Sequence, residues 1–185
     1  MTNYKWLFFD IGSTLINEEK AYQDRIEQAI AETNITYDTF YQRMLVLFQE
    51  GLKGDLIALQ EYSLERPKWK SELEILYPDA KIVLETLHNR YKIGVIANQL
   101  PNLEKRLENF GIRQWIGLII SSADYGFSKP SSKIFQLALQ QASCSASSAT
   151  MIGDKLDNDI APAKALGMKT IWIKQGFSAY SPIQS

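Results

Sequence analysis

The chain is organised by one repeated alternation. Short, mostly apolar runs are separated by segments that place apolar residues at helical spacing. The runs cover residues 4–9, 92–97, 117–121, 149–152 and 169–173. Runs that are apolar on both sides suit strands covered on both faces, the environment of a parallel sheet. Between them, residues 79–90 space Ile82, Val83 and Leu87 as a helix does. Residues 102–110 do so with Leu103, Leu107 and Phe110, and residues 131–141 with Ile134, Phe135, Ala138 and Leu139. Residues 157–166 form a last helix, with Pro162 in its early turns and Asp157 as its N-cap. Gly111 and Gly167 supply stop signals. Strand and helix in repeated succession predict an α/β chain with a five-stranded parallel sheet and helices on both faces.

Residues 18–77 break the rhythm. Three helical patterns follow one another there, at 19–33, 38–50 and 55–64, with no strand pattern among them. They either cover one face of the sheet or cap its end. The segment leaves the chain just after the first strand, at the edge where open α/β sheets bind ligands, and this favours a cap. The expected division is therefore a sheet domain of residues 1–16 and 78–185, with a helical cap of residues 17–77. The tail, residues 175–185, is expected to be loosely held.

Composition excludes several functions. The 185 residues suit one domain with an insertion. Lys and Arg number 20 against 21 Asp and Glu, so no basic excess points to nucleic acid. The apolar opening run ends at Asp10, too short for a membrane span or a signal-peptide core. The one cysteine, Cys144, has no partner for an internal disulfide and sits in a serine-rich loop with no sign of activation. These features fit a cytoplasmic protein without nucleic-acid or membrane partners.

The chemistry gathers at the carboxyl ends of the strands. Asp10 follows the first, Asn98 the second, Ser121 and Ser122 the third, and Asp154 the fourth. Lys129 stands just before Pro130 at a helix start, and the loop 153–159 carries Asp154, Asp157 and Asp159. Oxygen ligands of this kind suit Mg²⁺. A carboxylate beside such an ion can attack phosphorus, and a lysine there offsets phosphoryl charge.

The order of these residues resembles the haloacid dehalogenase superfamily with a helical cap. Asp10-Ile11-Gly12-Ser13-Thr14 is similar to its first motif and Ile96-Ala97-Asn98 to its second. Lys129-Pro130, followed by Lys133-Ile134-Phe135, is similar to the third. Gly153-Asp154, then Asn158-Asp159, is similar to the fourth. The resemblance implies a Rossmann-like fold and hydrolysis of phosphomonoesters through an aspartyl-phosphate on Asp10. It implies Mg²⁺ held by Asp10, Asp154 and the Gly12 carbonyl, with Asp159 acting directly or through water. Lys129 would bridge nucleophile and phosphoryl group, Thr14 and Asn98 would help seat the phosphate, and the substrate would be a small phosphorylated metabolite.

Two positions depart from the family pattern. Gly12 stands where an aspartate usually serves as general acid and base, and Ala97 where a hydroxyl residue usually meets the phosphate. The resemblance therefore implies weakened acid–base chemistry. Two alternatives follow from it: a non-catalytic phosphate- or partner-binding member of the fold, and an enzyme like phosphonoacetaldehyde hydrolase using Lys53 as a Schiff-base lysine. The bland reading of residues 50–54 is a turn between cap helices.

Overall fold

A computed structural model describes residues 5–99 and 101–182. Tyr4, in the first expected strand, and the last three residues of the expected tail lie outside them. The chain forms two compact units: residues 1–16 with 75–173, and residues 17–74 with 174–185.

The first unit is built on a five-stranded sheet. Its strands are β1 (Trp6–Phe9), β4 (Lys92–Ala97), β5 (Leu118–Ser121), β6 (Ala149–Gly153) and β7 (Lys169–Trp172), in the order β5-β4-β1-β6-β7. Every recorded pairing is parallel. The central strand β1 is buried along its whole length because it has neighbours on both edges and layers on both faces. Side chains of alternate residues separate to the two faces. Leu7, Phe9, Ile93 and Val95 join Leu84 of α4 (Ala80–His88) and Leu103 and Leu107 of α5 (Leu103–Asn109). Trp6, Phe8, Ile96 and Ile120 join Ile134, Phe135 and Ala138 of α7 (Ser132–Gln141) and Ala163 of α8 (Ala161–Ala165). A short helix, α6 (Ser122–Tyr125), follows β5. Helices therefore cover both faces, as the alternation predicts. Gly94 is the one residue of β4 that fits beneath its neighbour: a Cβ there would stand 2.6 Å from the Phe8 ring, its register partner on β1.

The second unit is helical. Its elements are α1 (Glu19–Ile30), α2 (Tyr37–Gln49) and α3 (Gly54–Glu61). Ile26, Phe40, Met44, Leu47, Ala58 and Leu59 form its core. Two-residue strands β2 (Ile16–Asn17) and β3 (Ile75–Leu76) pair where the chain passes from one unit to the other. Thr36 caps α2 by accepting the Thr39 N–H.

The tail departs from expectation. Residues 174–185 group with the helical unit rather than with the sheet. Phe177 stacks on Phe48 at 5.2 Å and meets the edges of Tyr22 and Tyr41 at 4.8 and 5.8 Å. Its ring fills the aromatic end of the helical core, so a Ser- and Gly-containing segment that reads as loose is packed into that core through this side chain. Asp157 also differs from its expected N-cap role. It lies exposed within a π-helical turn, Leu156–Ile160, that precedes α8.

Candidate active site

The carboxyl edge of the sheet gathers its polar residues through three distinct devices. The first is the turn after β1. The Asp10 N–H donates to the Ile152 carbonyl at 2.8 Å and so prolongs the β1–β6 ladder by one residue. The Ile11 carbonyl then accepts the N–H groups of Thr14, Leu15 and Ile16 at 3.3, 2.9 and 3.0 Å. Ser13 takes a left-handed conformation, φ 54°. This tight turn ends the strand at once and leaves Asp10 buried, 8% exposed, at the sheet edge. Thr14 is buried beside it, and its Oγ1 has no hydrogen-bond partner among the described residues.

The second device is the π-helical turn after β6. The Asp159 and Ile160 N–H groups both donate to the Lys155 carbonyl, at 2.8 and 3.3 Å. Such turns carry one extra residue per turn and recur at functional positions. Here the turn folds Asp159 back over Gly153, and its Oδ2 accepts the Lys155 N–H at 3.0 Å. A Cβ on Gly153 would stand 2.5 Å from that Oδ2. Only glycine admits this approach. Asp154 and Asp159 are 1% and 0% exposed. Trp172 on β7 donates its indole N–H to the Asp154 carbonyl at 2.7 Å, fixing the loop from the neighbouring strand.

The third device holds Lys129. Both ends of the Asn98 amide are bound to its backbone: Nδ2 donates to the Lys129 carbonyl and Oδ1 accepts the Lys129 N–H, each at 2.8 Å. The Lys129–Pro130 peptide beside this clamp is cis. The Asn98 amide, expected to help seat a phosphate, thus fixes the lysine through both of its ends. Ser122 performs a similar service one loop away, its Oγ accepting the Gln99 N–H at 3.2 Å.

These devices bring four charged groups together. Lys129 Nζ lies 2.6 Å from Asp10 Oδ1 and 2.6 Å from Asp159 Oδ1, and the lysine is 4% exposed. Oxygens of Asp10, Asp154 and Asp159 all lie within 4.8 Å of one another. Burial pushes the Lys129 ammonium down, but the carboxylates of Asp10 and Asp159 more than offset it, and the net displacement from its ordinary value is upward. Burial pushes the Asp159 carboxyl up; Lys129 opposes this, the negative charge of Asp10 adds to it, and the net direction is upward. Three buried carboxylates against one ammonium form an anionic, all-oxygen set, which is the donor chemistry a hard divalent cation requires.

The remaining expected positions divide. Gly12 lies in the turn beside Asp10, forming an isolated bridge with Ile16. Ala97 is fully buried at the end of β4 and faces the apolar layer. Lys53 belongs to the helical unit, exposed, directly before α3. The turn between α2 and α3 has Gly51 at φ 76°, as the bland reading of that segment requires. Burial pushes the Cys144 thiol up, away from reactivity. Sequence reasoning missed the Trp172 contact and the Asn98 clamp. Neither has a local signal, since each joins residues from different strands or loops.

Known proteins agree with this architecture. The family model described as haloacid dehalogenase-like hydrolase matches residues 7–173. A glyceraldehyde 3-phosphate phosphatase of Pyrococcus abyssi is 31% identical over 93% of this chain and 82% of its own length. A ribulose-1,5-bisphosphate 5-phosphatase of Halopiger xanaduensis is 35% identical over 71% of this chain and 55% of its own. Among solved structures, the HAD-hydrolase YfnB of Bacillus subtilis, described as bound to magnesium, shares the fold. Its TM-score is 0.67 at 23% identity, over 92% of this chain and 89% of that one. No helix among the described residues is long and apolar enough to cross a membrane. A match that runs from the first strand of the sheet to the last, through every residue of the buried charged cluster, makes this chain a member of the haloacid dehalogenase-like hydrolase family.

Proposed function

We propose that the chain is a Mg²⁺-dependent phosphatase acting on a small phosphorylated metabolite through an aspartyl-phosphate on Asp10. The observation that carries the reading is the placement of Lys129 between Asp10 and Asp159, with Asp154 completing a buried oxygen set. The relatives named as phosphatases of glyceraldehyde 3-phosphate and ribulose-1,5-bisphosphate support the substrate class.

Asp10 and Asp154, with the Gly12 carbonyl, would hold the cation. Asp159, whose oxygens accept hydrogen bonds from Lys129 and from the Lys155 N–H, would add negative charge to the same ion, directly or through water. When bound, Mg²⁺ neutralises charge on the phosphoryl oxygens. One carboxylate oxygen of Asp10 is tied to Lys129, which leaves the other as nucleophile. It forms a bond to phosphorus as the ester P–O bond breaks, and the departing oxygen takes a proton from water. Water then attacks phosphorus, the bond to Asp10 breaks, and inorganic phosphate leaves. Lys129 stabilises the charge that spreads over the phosphoryl oxygens, and the buried Thr14 hydroxyl donates to one of them. With Gly12 beside Asp10, no carboxylic acid at that position hands the proton over, and turnover is slowed accordingly.

The test is phosphate release from a panel of phosphate esters by the purified chain, with Mg²⁺ and with chelator. Mg²⁺-dependent turnover that is lost in Asp10→Asn supports the proposal. Metal binding without turnover on any ester would favour a non-catalytic member of the fold. Borohydride trapping of an adduct on Lys53 would replace the aspartyl mechanism with Schiff-base chemistry.

A further inference from the structure

The helical unit contains a buried arginine whose hydrogen bonds are unmade. Arg25 on α1 is 7% exposed. A buried guanidinium normally spends its five N–H groups on carboxylates or carbonyls, because leaving them unmade costs the full desolvation of each. Arg25 donates no hydrogen bond from its side chain to any described residue, and its Nε is buried without a partner. The nearest carboxylate oxygen, Asp55 Oδ2 on α3, lies 4.0 Å from Nη1, outside hydrogen-bond reach.

The surroundings of Arg25 are held firmly. Its guanidinium carbon lies 4.4 Å from the centroid of the Trp69 ring. Trp69 donates its indole N–H to the buried Glu74 carboxylate at 2.7 Å, and its ring meets the Tyr22 ring edge-on at 5.0 Å. Lys70, next in the chain, is paired with Asp24 at 2.7 Å. Stacking covers the face of the guanidinium and leaves its donors, which lie in the plane, for an in-plane acceptor.

A second guanidinium shares the place. Arg66 Nη2 also stands 4.0 Å from Asp55 Oδ2, with its side chain 56% exposed. Asp55 thus sits between two cations and satisfies neither with a hydrogen bond. Burial and the like charge of Arg66 push the Arg25 guanidinium down from its ordinary value, while Asp55, Tyr22 and Glu18 pull it back.

From this geometry we infer that Arg25 and Arg66 form an oxyanion site in the helical unit, with Trp69 as its floor. Its ligand is a carboxylate or phosphate group of a small molecule, accepted in the plane of the forks as arginine accepts such groups. The site stands on the helical unit alone.

The test is nuclear magnetic resonance of the full chain labelled with ¹⁵N, following the arginine Nε–H signals. The Arg25 signal is assigned by its loss in Arg25→Lys. The Trp69 indole signal, assigned by Trp69→Phe, is a second reporter should Arg25→Lys fail to fold. Inorganic phosphate and malonate are titrated separately, against chloride at equal ionic strength. A saturable shift of either reporter with phosphate or malonate, absent with chloride and weakened about tenfold or more in Arg66→Gln, supports the site. Tighter binding of malonate identifies a carboxylate ligand, and tighter binding of phosphate a phosphoryl group. Reporters that stay still with both probes, or that move equally with chloride or in Arg66→Gln, overturn it. Phosphate that moves only the Gly153 and Lys155 amides overturns the oxyanion site and leaves the Asp10 chemistry standing. Reporters that respond in a protein that hydrolyses no ester leave the oxyanion site standing and overturn the phosphatase reading.

Discussion

Lys129 reaches across thirty residues of sequence to place its ammonium 2.6 Å from the carboxylate of Asp159, and both side chains are buried. The same nitrogen meets Asp10 at 2.6 Å. Removing one partner of a buried charge cluster leaves the others uncompensated, at about 3–5 kcal/mol. Lys129→Met should therefore lower the stability of the metal-free chain by roughly that amount, read from urea midpoints in chelator. Mg²⁺ should restore part of the loss, because it supplies positive charge to the same carboxylates. An unchanged midpoint would mean that the cluster is not held together by Lys129.

Acid should strengthen the metal-free fold through Asp159. Its carboxyl is raised above the ordinary value of 3.8. A carboxyl whose folded value lies above its unfolded one stabilises the fold when protonated. That contribution is complete below the unfolded value and is lost as pH rises through the folded one. The melting temperature of the natural chain minus that of Asp159→Asn should thus rise, toward more positive values, as pH falls from neutral toward about 4 in chelator. Saturating Mg²⁺ should suppress the rise, since the ion selects the charged carboxylate. A difference that falls on acidification has the wrong sign for this account.

Two glycines separate site from scaffold. In Gly153→Ala the new methyl meets Asp159 Oδ2; in Gly94→Ala it meets the Phe8 ring. The first should cost Mg²⁺ affinity, about tenfold or more by calorimetry, because displacing a carboxylate bound by charge-assisted hydrogen bonds costs on the order of 1.5–3 kcal/mol. The second should leave Mg²⁺ affinity alone and cost about 1–3 kcal/mol of stability through overpacking. Equal effects on affinity would show that Gly153 has no special relation to the acidic loop.

Gly12→Asp should raise phosphatase turnover. Gly12 is not among the glycines with positive φ, which are 51, 111, 126, 167 and 176, so no left-handed backbone bars an aspartate there. A carboxylic acid there would protonate the leaving oxygen and then deprotonate the attacking water, a function worth about 10²–10⁴-fold. The check is kcat with a fixed ester at saturating Mg²⁺. A fast natural enzyme that the substitution slows would place the proton donor elsewhere.

Sequence alone determined the layered architecture and the edge of the sheet at which chemistry gathers. Both follow from local pattern: apolar runs report strands covered on two faces, helical spacing reports one buried stripe, and strand ends fix which residues share an edge. Asp10 and Asp154 stand out at strand ends, Lys129 at a helix start and Asp159 in an acidic loop, while the roles expected of them come from the resemblance to the family. Tertiary structure decided what those residues touch. The Asn98 amide could have faced a ligand or the backbone, and only the approach of two loops commits it to Lys129. Asp159 reaches Lys129 only because a π-helical turn adds a residue over Gly153, and no periodicity marks that turn. Phe177 stands in a segment of turn-forming composition, yet its ring stacks on Phe48 and draws the tail into the helical unit. Arg25 reads as an ordinary polar helix residue until Trp69 is laid against it. Periodicity records which face of an element is buried; it carries no information on which distant residue lies opposite, because that is set by packing between elements.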